Sequence, residues 1–385
     1  MLRPESEAEL AEMIRAAHAP LAIRGGATRG LPLPGEALDT TGLHGIRLYE
    51  PGALTLVVGA GTPIKEIDTI LAEKDQRMAF EPMDHRALMA TQGEPTIGGV
   101  TAANISGPRR IQVGAARDHM LGVRFVTGTG DIVKNGGRVM KNVTGYDLVK
   151  LMAGSFGTLG VLSELSLKVQ AIPEAEATLI LRGQDMRTAV ADLTRAMGTA
   201  FDVSGAAWLD ASASDGGGER RIRVEGMAGS VAYRSERLAD LLGADHVATG
   251  NQSAVLWQQV RDVTPFANRP GTVWKVSTRP SIAADFCGAL TSRGIAHSVI
   301  ADWSGGLLWL SLDAEADTQD AGAAAIRQEL ARYGGHATLI RANPDIRAKV
   351  ATFQPQPPAL ERIAAGLREK FDPRQILNPG LMAPL

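Results

Sequence analysis

The chain has 385 residues, 44% of them hydrophobic, with a formal net charge of -2. That length predicts two domains with separate cores, and the charge balance gives no general reason to expect nucleic acid, which requires a concentrated basic surface. No apolar run approaches the ~18 residues of a membrane span, and MLRPESEAEL lacks the apolar stretch of a signal peptide, so export is not expected.

Ser6 followed by Glu9 reads as a capping box, with Leu10, Met13, Ile14 and Ala17 spaced for the buried face of a helix. LAIRGG then reads as a strand running into a loop. LTLVVGAG is a second buried strand, and TPIKEIDTILAEK a helix with Thr62 as cap and Pro63 at its first position. DHMLGVRFVTGTGDIVKNGG predicts two strands folded around the glycines of TGTGD. GYDLVKLMAGSFGTLGVLSELSLKV predicts helix, glycine-rich loop and strand. Character changes at QAIPEAEA, where Pro173 marks a boundary. Beyond it the order strand, helix, strand, strand, helix occurs twice, which predicts one antiparallel, ferredoxin-like sheet with helices on a single face. Three parts follow: residues 1 to 172, residues 173 to 343, and a tail from 344 to 385 that leaves the second domain. The fold class is α+β.

Cys287 is the only cysteine. Internal disulfides, cysteine-rich zinc sites and an iron–sulfur cluster held by this chain's own thiolates are therefore excluded, and a reducing cytoplasm is the expected compartment. Four glycine clusters stand out: RGGATRG, PTIGGVTAANISG, GSFGTLG and LNPG. Consecutive glycines let backbone N–H groups converge on an anion or a flat ring, although a cluster alone is more often an ordinary turn. Neither a Walker loop nor a dinucleotide G-x-G-x-x-G between strand and helix occurs, which disfavours a nicotinamide-binding domain.

In order and spacing, LAIRGGATRG, PTIGGVTAANISGPRR, VGAARDHMLGVRFVTGTGDIV, KNVTGYDLVKLMAGSFGTLGVLSELSLKV and FDPRQILNPGLM resemble the FAD-binding fold of the vanillyl-alcohol oxidase superfamily. Within it the chain is most similar to the FAD-binding subunits of bacterial glycolate oxidases, which are distinct from the larger catalytic flavin subunit. The resemblance implies that Arg24, Gly25, Gly26, Ala27 and Thr28 form the loop over the FAD pyrophosphate. It places Thr96, Gly98 and Gly99 at a helix start facing the diphosphate and ribityl chain. Ala103, Asn104, Ser106 and Gly107 would pass under the isoalloxazine, followed by Gly114 and Asp118, while Gly157, Gly160 and Val161 would meet the adenine end. Some members tether the flavin through a histidine in the first loop; Ala27 stands there, so non-covalent FAD is expected.

Related flavin dehydrogenases of 2-hydroxy acids clamp the substrate carboxylate with an arginine in a W-x-x-x-R-like helix. Trp257 and Arg261 of LWQQVRD match that spacing, and a planar guanidinium suits a carboxylate; an exposed arginine on an amphipathic helix fits equally. Where those relatives carry metal-binding histidines, this chain has Asp302 and Trp309, and no glutamate precedes His336. His297 and His336 read as structural, and no metal is expected. Lys141 and Asn142 lie near the flavin in relatives and could polarise a bound group, or form a solvated pair before a helix. A flavin cradle without a metal site fits a glycolate oxidase subunit that relays electrons or supports a catalytic flavin subunit, with an iron–sulfur subunit or quinone as onward acceptor. A standalone FAD-dependent 2-hydroxy acid dehydrogenase and a non-catalytic scaffold remain open, and a cell-wall precursor reductase is a more distant alternative.

Overall fold

The structure is a computed structural model that describes residues 1 to 138, 145 to 214, 217 to 313 and 320 to 382. The helix Glu7–Ala16 starts where Ser6 Oγ accepts the Glu9 N–H at 3.2 Å, and it turns Leu10, Ala11 and Ile14 inward. The cap is one-sided, because the Glu9 carboxylate accepts from Glu5 rather than from Ser6. Strand Leu21–Arg24 pairs in parallel with Glu36–Asp39 and delivers the chain directly into the RGGATRG loop.

Behind this lies a five-stranded sheet in the order Ile46–Glu50, Thr55–Gly59, Val161–Lys168, Met120–Val126, Ile132–Gly136. Its hairpin closes around TGTGD with Val126 opposite Ile132. Leu56, Val58, Phe125 and Leu165 fill one core with Ile67 and Leu71 of the helix Ile64–Ala72. That helix differs from expectation at its start: Pro63 is the cap residue and no side chain caps it. Thr62 instead points away, its hydroxyl accepting the Gly45 N–H at 2.8 Å.

The second domain is an eight-stranded sheet ordered His246–Thr249, Ala175–Arg182, Glu219–Gly226, Val203–Leu209, His297–Asp302, Leu307–Leu312, Thr272–Ser277, His336–Arg341. Each half places its fourth strand beside its first, then its third, then its second, and the halves join through the short antiparallel pairing of Trp208 with Ala301 and Leu209 with Ile300. Helices Met186–Met197, Ala228–Leu242, Ala283–Ser292 and Ala323–Tyr333 cover one face, burying Leu193, Leu238, Phe286 and Leu330 against it. Helix Asn251–Arg261 departs from the single-face expectation. Its Trp257 and Val260 pack with Val273, Ile300 and Trp309 on the opposite side. Gly205 makes room, since a Cβ there would lie 2.7 Å from the Trp257 ring. Strand His246–Thr249 left no sequence signal because only Ala248 of its four residues is buried.

Residues 344 to 353 remain with this sheet rather than leaving at Pro344, because Ile346 and Val350 are buried in its helix-side core. The return begins with helix Pro358–Phe371. It ends where the Leu21 N–H donates to Ile376 O at 2.7 Å and the Ile23 N–H to Asn378 Oδ1 at 2.7 Å. The tail thus braces the strand that carries the glycine loop.

Buried charges join the two domains. Arg109 Nε meets Glu225 Oε2, Arg223 Nη1 meets Glu81 Oε1, and Arg77 Nη1 meets Glu225 Oε1, each at 2.8 Å. Arg223 also stacks 4.5 Å from the centre of the Trp257 ring.

Candidate functional site

A cavity of about 390 Å³ opens along the RGGATRG loop, lined among others by Arg24, Gly25, Gly26, Ala27, Thr28, Thr96 and Gly99. The loop can lie there because two chain segments cross backbone to backbone. A Cβ on Gly26 would sit 1.6 Å from Glu94 O, and one on Gly93 1.6 Å from Gly26 O. Ala27 takes a positive φ of 53° to complete the turn. Among the described residues nothing accepts a hydrogen bond from the N–H groups of Gly26, Ala27, Thr28 or Arg29. Arg29 Nη1 is also buried without a partner. Its guanidinium rests 5.3 Å from the centre of the Phe156 ring, and burial lowers its pKa to about 10. Orphaned donors and an uncompensated cation facing one cavity are costly unless an anion joins them.

The other expected cofactor residues divide into those near this cavity and those with internal duties. Gly98 donates its N–H to Ala60 O at 2.7 Å, where a Cβ would clash, and the Gly99 N–H is taken by Thr96 Oγ1 at 3.3 Å. The start of helix Ile97–Ala102 therefore has less to offer an anion than the glycine loop does. Ala103 closes this helix. Asn104, at a φ of 51°, accepts the Arg117 N–H, and Ser106 Oγ accepts the Ala116 N–H at 2.9 Å. Gly114 turns the chain at a φ of 88°, and Asp118 Oδ2 caps the Ala115 N–H at 2.9 Å. Gly157 adjoins Phe156 and Asn378, whereas Gly160 and Val161 pack against Phe125 and in the core behind the first strand. Lys141 and Asn142 lie outside the described residues.

A second, small cavity of about 10 Å³ lies where the domains meet, and it shares Met83, His85 and Ile105 with the first. Strand alternation builds its far wall. Val273 and Lys275, Ile300 and Asp302, Leu307 and Trp309 all face away from the four covering helices. Lys275 Nζ lies 5.8 Å from the Trp303 ring centre and 5.6 Å from that of Trp309; burial and then Arg110 lower its pKa to about 8. Asp302 is 2% exposed and accepts the Trp303 N–H at 2.7 Å. Trp303 Nε1 in turn donates to Gly107 O at 3.1 Å, tying this wall to the segment expected under the flavin ring. Burial, with Arg29 and Lys275 nearby, holds His85 down at about 3, so it is neutral.

Arg261 borders this cavity, but its fork is occupied: Nε and Nη2 bind Asp262 at 2.8 and 2.7 Å. Nη1 and the second N–H of Nη2 remain for another acceptor. Trp257 serves the core, donating to Thr178 Oγ1 at 2.8 Å. His297 Nδ1 contacts Ile295 O at 2.9 Å, and His336, at the start of the last strand, is kept below its ordinary pKa by burial and the Lys275 and Arg110 cations. Among the described residues no group of three His, Cys, Asp or Glu side chains is placed to hold a metal ion. Cys287 is buried on the helix side, its thiol pushed up to about 12 by burial.

The model of the FAD binding domain family matches residues 1–136. Across 368 residues, 94% of this chain and 92% of the relative, the sequence is 35% identical to glycolate oxidase subunit GlcE of Escherichia coli K12. The chain belongs to the GlcE family. Partial likenesses run to glycolate oxidase subunit GlcD of Bacillus subtilis, 35% identical over 34% of this chain and 24% of that one. The mitochondrial cytochrome-type D-lactate dehydrogenase of Arabidopsis thaliana is 28% identical over 54% of this chain and 36% of its own. The solved structure of an alkyldihydroxyacetonephosphate synthase superposes with a TM-score of 0.68 at 17% identity, over 98% of this chain and 76% of that chain, and shows the shared fold.

As a member of this FAD-linked oxidoreductase family the chain carries FAD, and the first cavity suits it: the unpaired N–H groups and Arg29 match a diphosphate, and neutral His85, Ile105 and Met83 suit a ring at the domain junction. Arg29 escaped attention in the sequence although it lies inside RGGATRG, because an arginine beside glycines reads as solvated. Lys275 left a clearer trace: in TVWKVST it occupies an inward position of a buried strand. Arg29→Leu is expected to weaken FAD binding about ten- to hundredfold, the ~1.5–3 kcal/mol of a charge-assisted hydrogen bond, measured by titrating the apoprotein with FAD and following flavin fluorescence.

Proposed function

We propose that the chain is the FAD-binding subunit of a glycolate oxidase complex, holding its flavin non-covalently beside a catalytic flavin subunit of the GlcD kind and an iron–sulfur subunit. The observation that carries this reading is the end-to-end similarity to GlcE, joined to a cavity whose donors await an anion. Bound FAD supplies a two-electron acceptor. The chain's own residues do the rest: the glycine loop and Arg29 hold the diphosphate, Asn378 and Phe156 brace that loop, and Trp303 ties the two domains together by donating to Gly107 O. Ala27 in the first loop and Cys287 lying in the other domain's core support non-covalent attachment. With a single cysteine in the chain, electrons leaving this flavin pass to a partner's cluster or to a quinone. No helix among the described residues is long and apolar enough to cross a membrane; in this reading the complex is cytoplasmic and reaches the membrane, where it does, through partners.

The test is reconstitution. The FAD-loaded chain, mixed with purified GlcD-type and iron–sulfur partners, should restore glycolate-dependent dye reduction that the partners alone lack. Full activity without this chain would count against the assignment, and trichloroacetic acid should release the flavin completely into the supernatant.

A further inference from the structure

We propose that Asp302 is the proton acceptor for the hydroxyl of a small 2-hydroxy acid held against the flavin, with Lys275 as its neighbouring cation, so that this chain can oxidise such a substrate without a metal ion. The inference rests on the FAD reading above and extends it to a residue and a reaction.

The geometry carries the assignment. Asp302 ends its strand inside the small cavity that shares Met83, His85 and Ile105 with the flavin cavity. One of its oxygens is anchored by the Trp303 N–H, which aims the carboxylate, and among the described residues it has no ion-pair partner within 4.0 Å. A buried carboxylate left without such a partner, beside a half-buried lysine close to two tryptophan rings, is costly to the fold and characteristic of a working site. The cavity of about 10 Å³ has room for a group the size of one water, which a hydroxyl fits. A divalent ion is ill suited to this spot, because the cations Lys275 and Arg261 line the same cavity as the single carboxylate.

In the step, the hydroxyl O–H bond breaks and its proton passes to Asp302. The C–H bond breaks with its electron pair, which leaves with the hydrogen to bound FAD; the carbon becomes a carbonyl and FAD is reduced by two electrons. Asp302 must be ionised to act. Burial pushes its pKa up to about 7; the Trp303 N–H, Arg223 and Lys275 oppose that rise and Glu81 adds to it. His85, Arg110, Arg261 and His336 complete the charged and titratable surroundings, with His85 neutral. The rate of flavin reduction therefore rises with pH through about 7.

The experiment uses the full FAD-loaded chain under anaerobic conditions, mixed with glycolate, and in parallel with oxalate as a probe that cannot be oxidised. Glycolate should bleach the wild-type flavin, equally before and after dialysis against EDTA. Asp302→Asn keeps an acceptor for the Trp303 N–H; it should retain FAD and bind oxalate within about threefold of wild type, yet bleach at least about a hundredfold more slowly and lose the rise with pH. Asp302→Ser serves as a second variant should the amide disturb folding. Bleaching of Asp302→Asn at the wild-type rate overturns the proposal, as does loss of the wild-type reaction in EDTA with recovery on adding zinc. A wild-type flavin that stays oxidised with glycolate and with D-lactate overturns this proposal alone, whereas a protein that takes up no FAD overturns the reading beneath it as well.

Discussion

Gly26→Ala yields a protein that folds but is colourless. The added methyl carbon would lie 1.6 Å from the carbonyl oxygen of Glu94, and the partner is backbone, which cannot swing aside as a side chain can. Gly93 meets Gly26 O at the same 1.6 Å from the other side, so neither strand of this crossing can accept a side chain. The loop must lift away, and with it the unpaired N–H groups of Gly26, Ala27, Thr28 and Arg29 lose their common focus. FAD affinity should fall at least about a hundredfold, ~2.7 kcal/mol. The domain cores are built from other residues, so the melting temperature without FAD should change little while flavin absorbance after purification disappears. Gly52→Ala, where a Cβ meets nothing within 4 Å, is the control and should stay yellow. A yellow Gly26→Ala protein would mean that the flavin does not depend on this loop.

Glu225→Gln should be the most destabilising single change at the junction of the domains. Arg109 and Arg77 reach Glu225 at 2.8 Å and Arg223 lies 3.5 Å away, with both Arg223 and Glu225 almost wholly buried. An amide leaves three guanidinium groups to share Glu81 and Glu176, and removing one member of a buried pair costs about 3–5 kcal/mol. Urea denaturation would read this directly. It should also expose a pH dependence. Burial alone would raise the Glu225 pKa, but Arg223 and Arg109 outweigh it and hold the carboxyl far below its ordinary 4.5; Glu81 is lowered by the same two cations. A carboxylate depressed in the folded state contributes stability that is present above its unfolded pKa and lost as pH falls through the folded value. Wild type should therefore weaken progressively as pH drops below about 4.5, and Glu225→Gln should show a shallower acid slope. Identical slopes in the two proteins would remove Glu225 from the account. Asp302 has the opposite sign. Its pKa is raised from 3.8 to about 7, so its burial costs stability as pH rises across that interval.

The two repeats of the second domain were visible as periodic apolar segments, and the TGTGD hairpin as two alternating runs meeting at glycines. Each is a local pattern, set by residues close in the chain. Thr62 and Pro63 misled because a threonine before a proline has the composition of a cap, while the hydroxyl was claimed by Gly45, distant in sequence and close in space. The edge strand His246–Thr249 was missed for the converse reason, since an edge position demands little burial. At the site, the glycine loop was legible from its composition, but the significance of Arg29 was not, because only the fold shows that its Nη1 is buried without a partner. The motif around Arg261 was legible too, yet its fork proved to be held by Asp262, its own neighbour.

By itself the sequence determined the strands and helices that carry a periodic apolar face, that glycine-rich backbone gathers in the first domain, and that no cysteine cluster is available for electron transfer. Those are properties of composition and short-range spacing. The tertiary structure decided which of the candidate groups meet. It crossed Gly26 over Gly93, carried Asn378 back to Ile23, and turned Lys275 and Asp302 from separate strands toward one cavity where the domains meet. The reason is physical: a side chain's charge and chemistry depend on what excludes water from it and what lies opposite, and at this junction neighbours such as Gly107 for Trp303 and Glu81 for Arg223 come from distant parts of the chain.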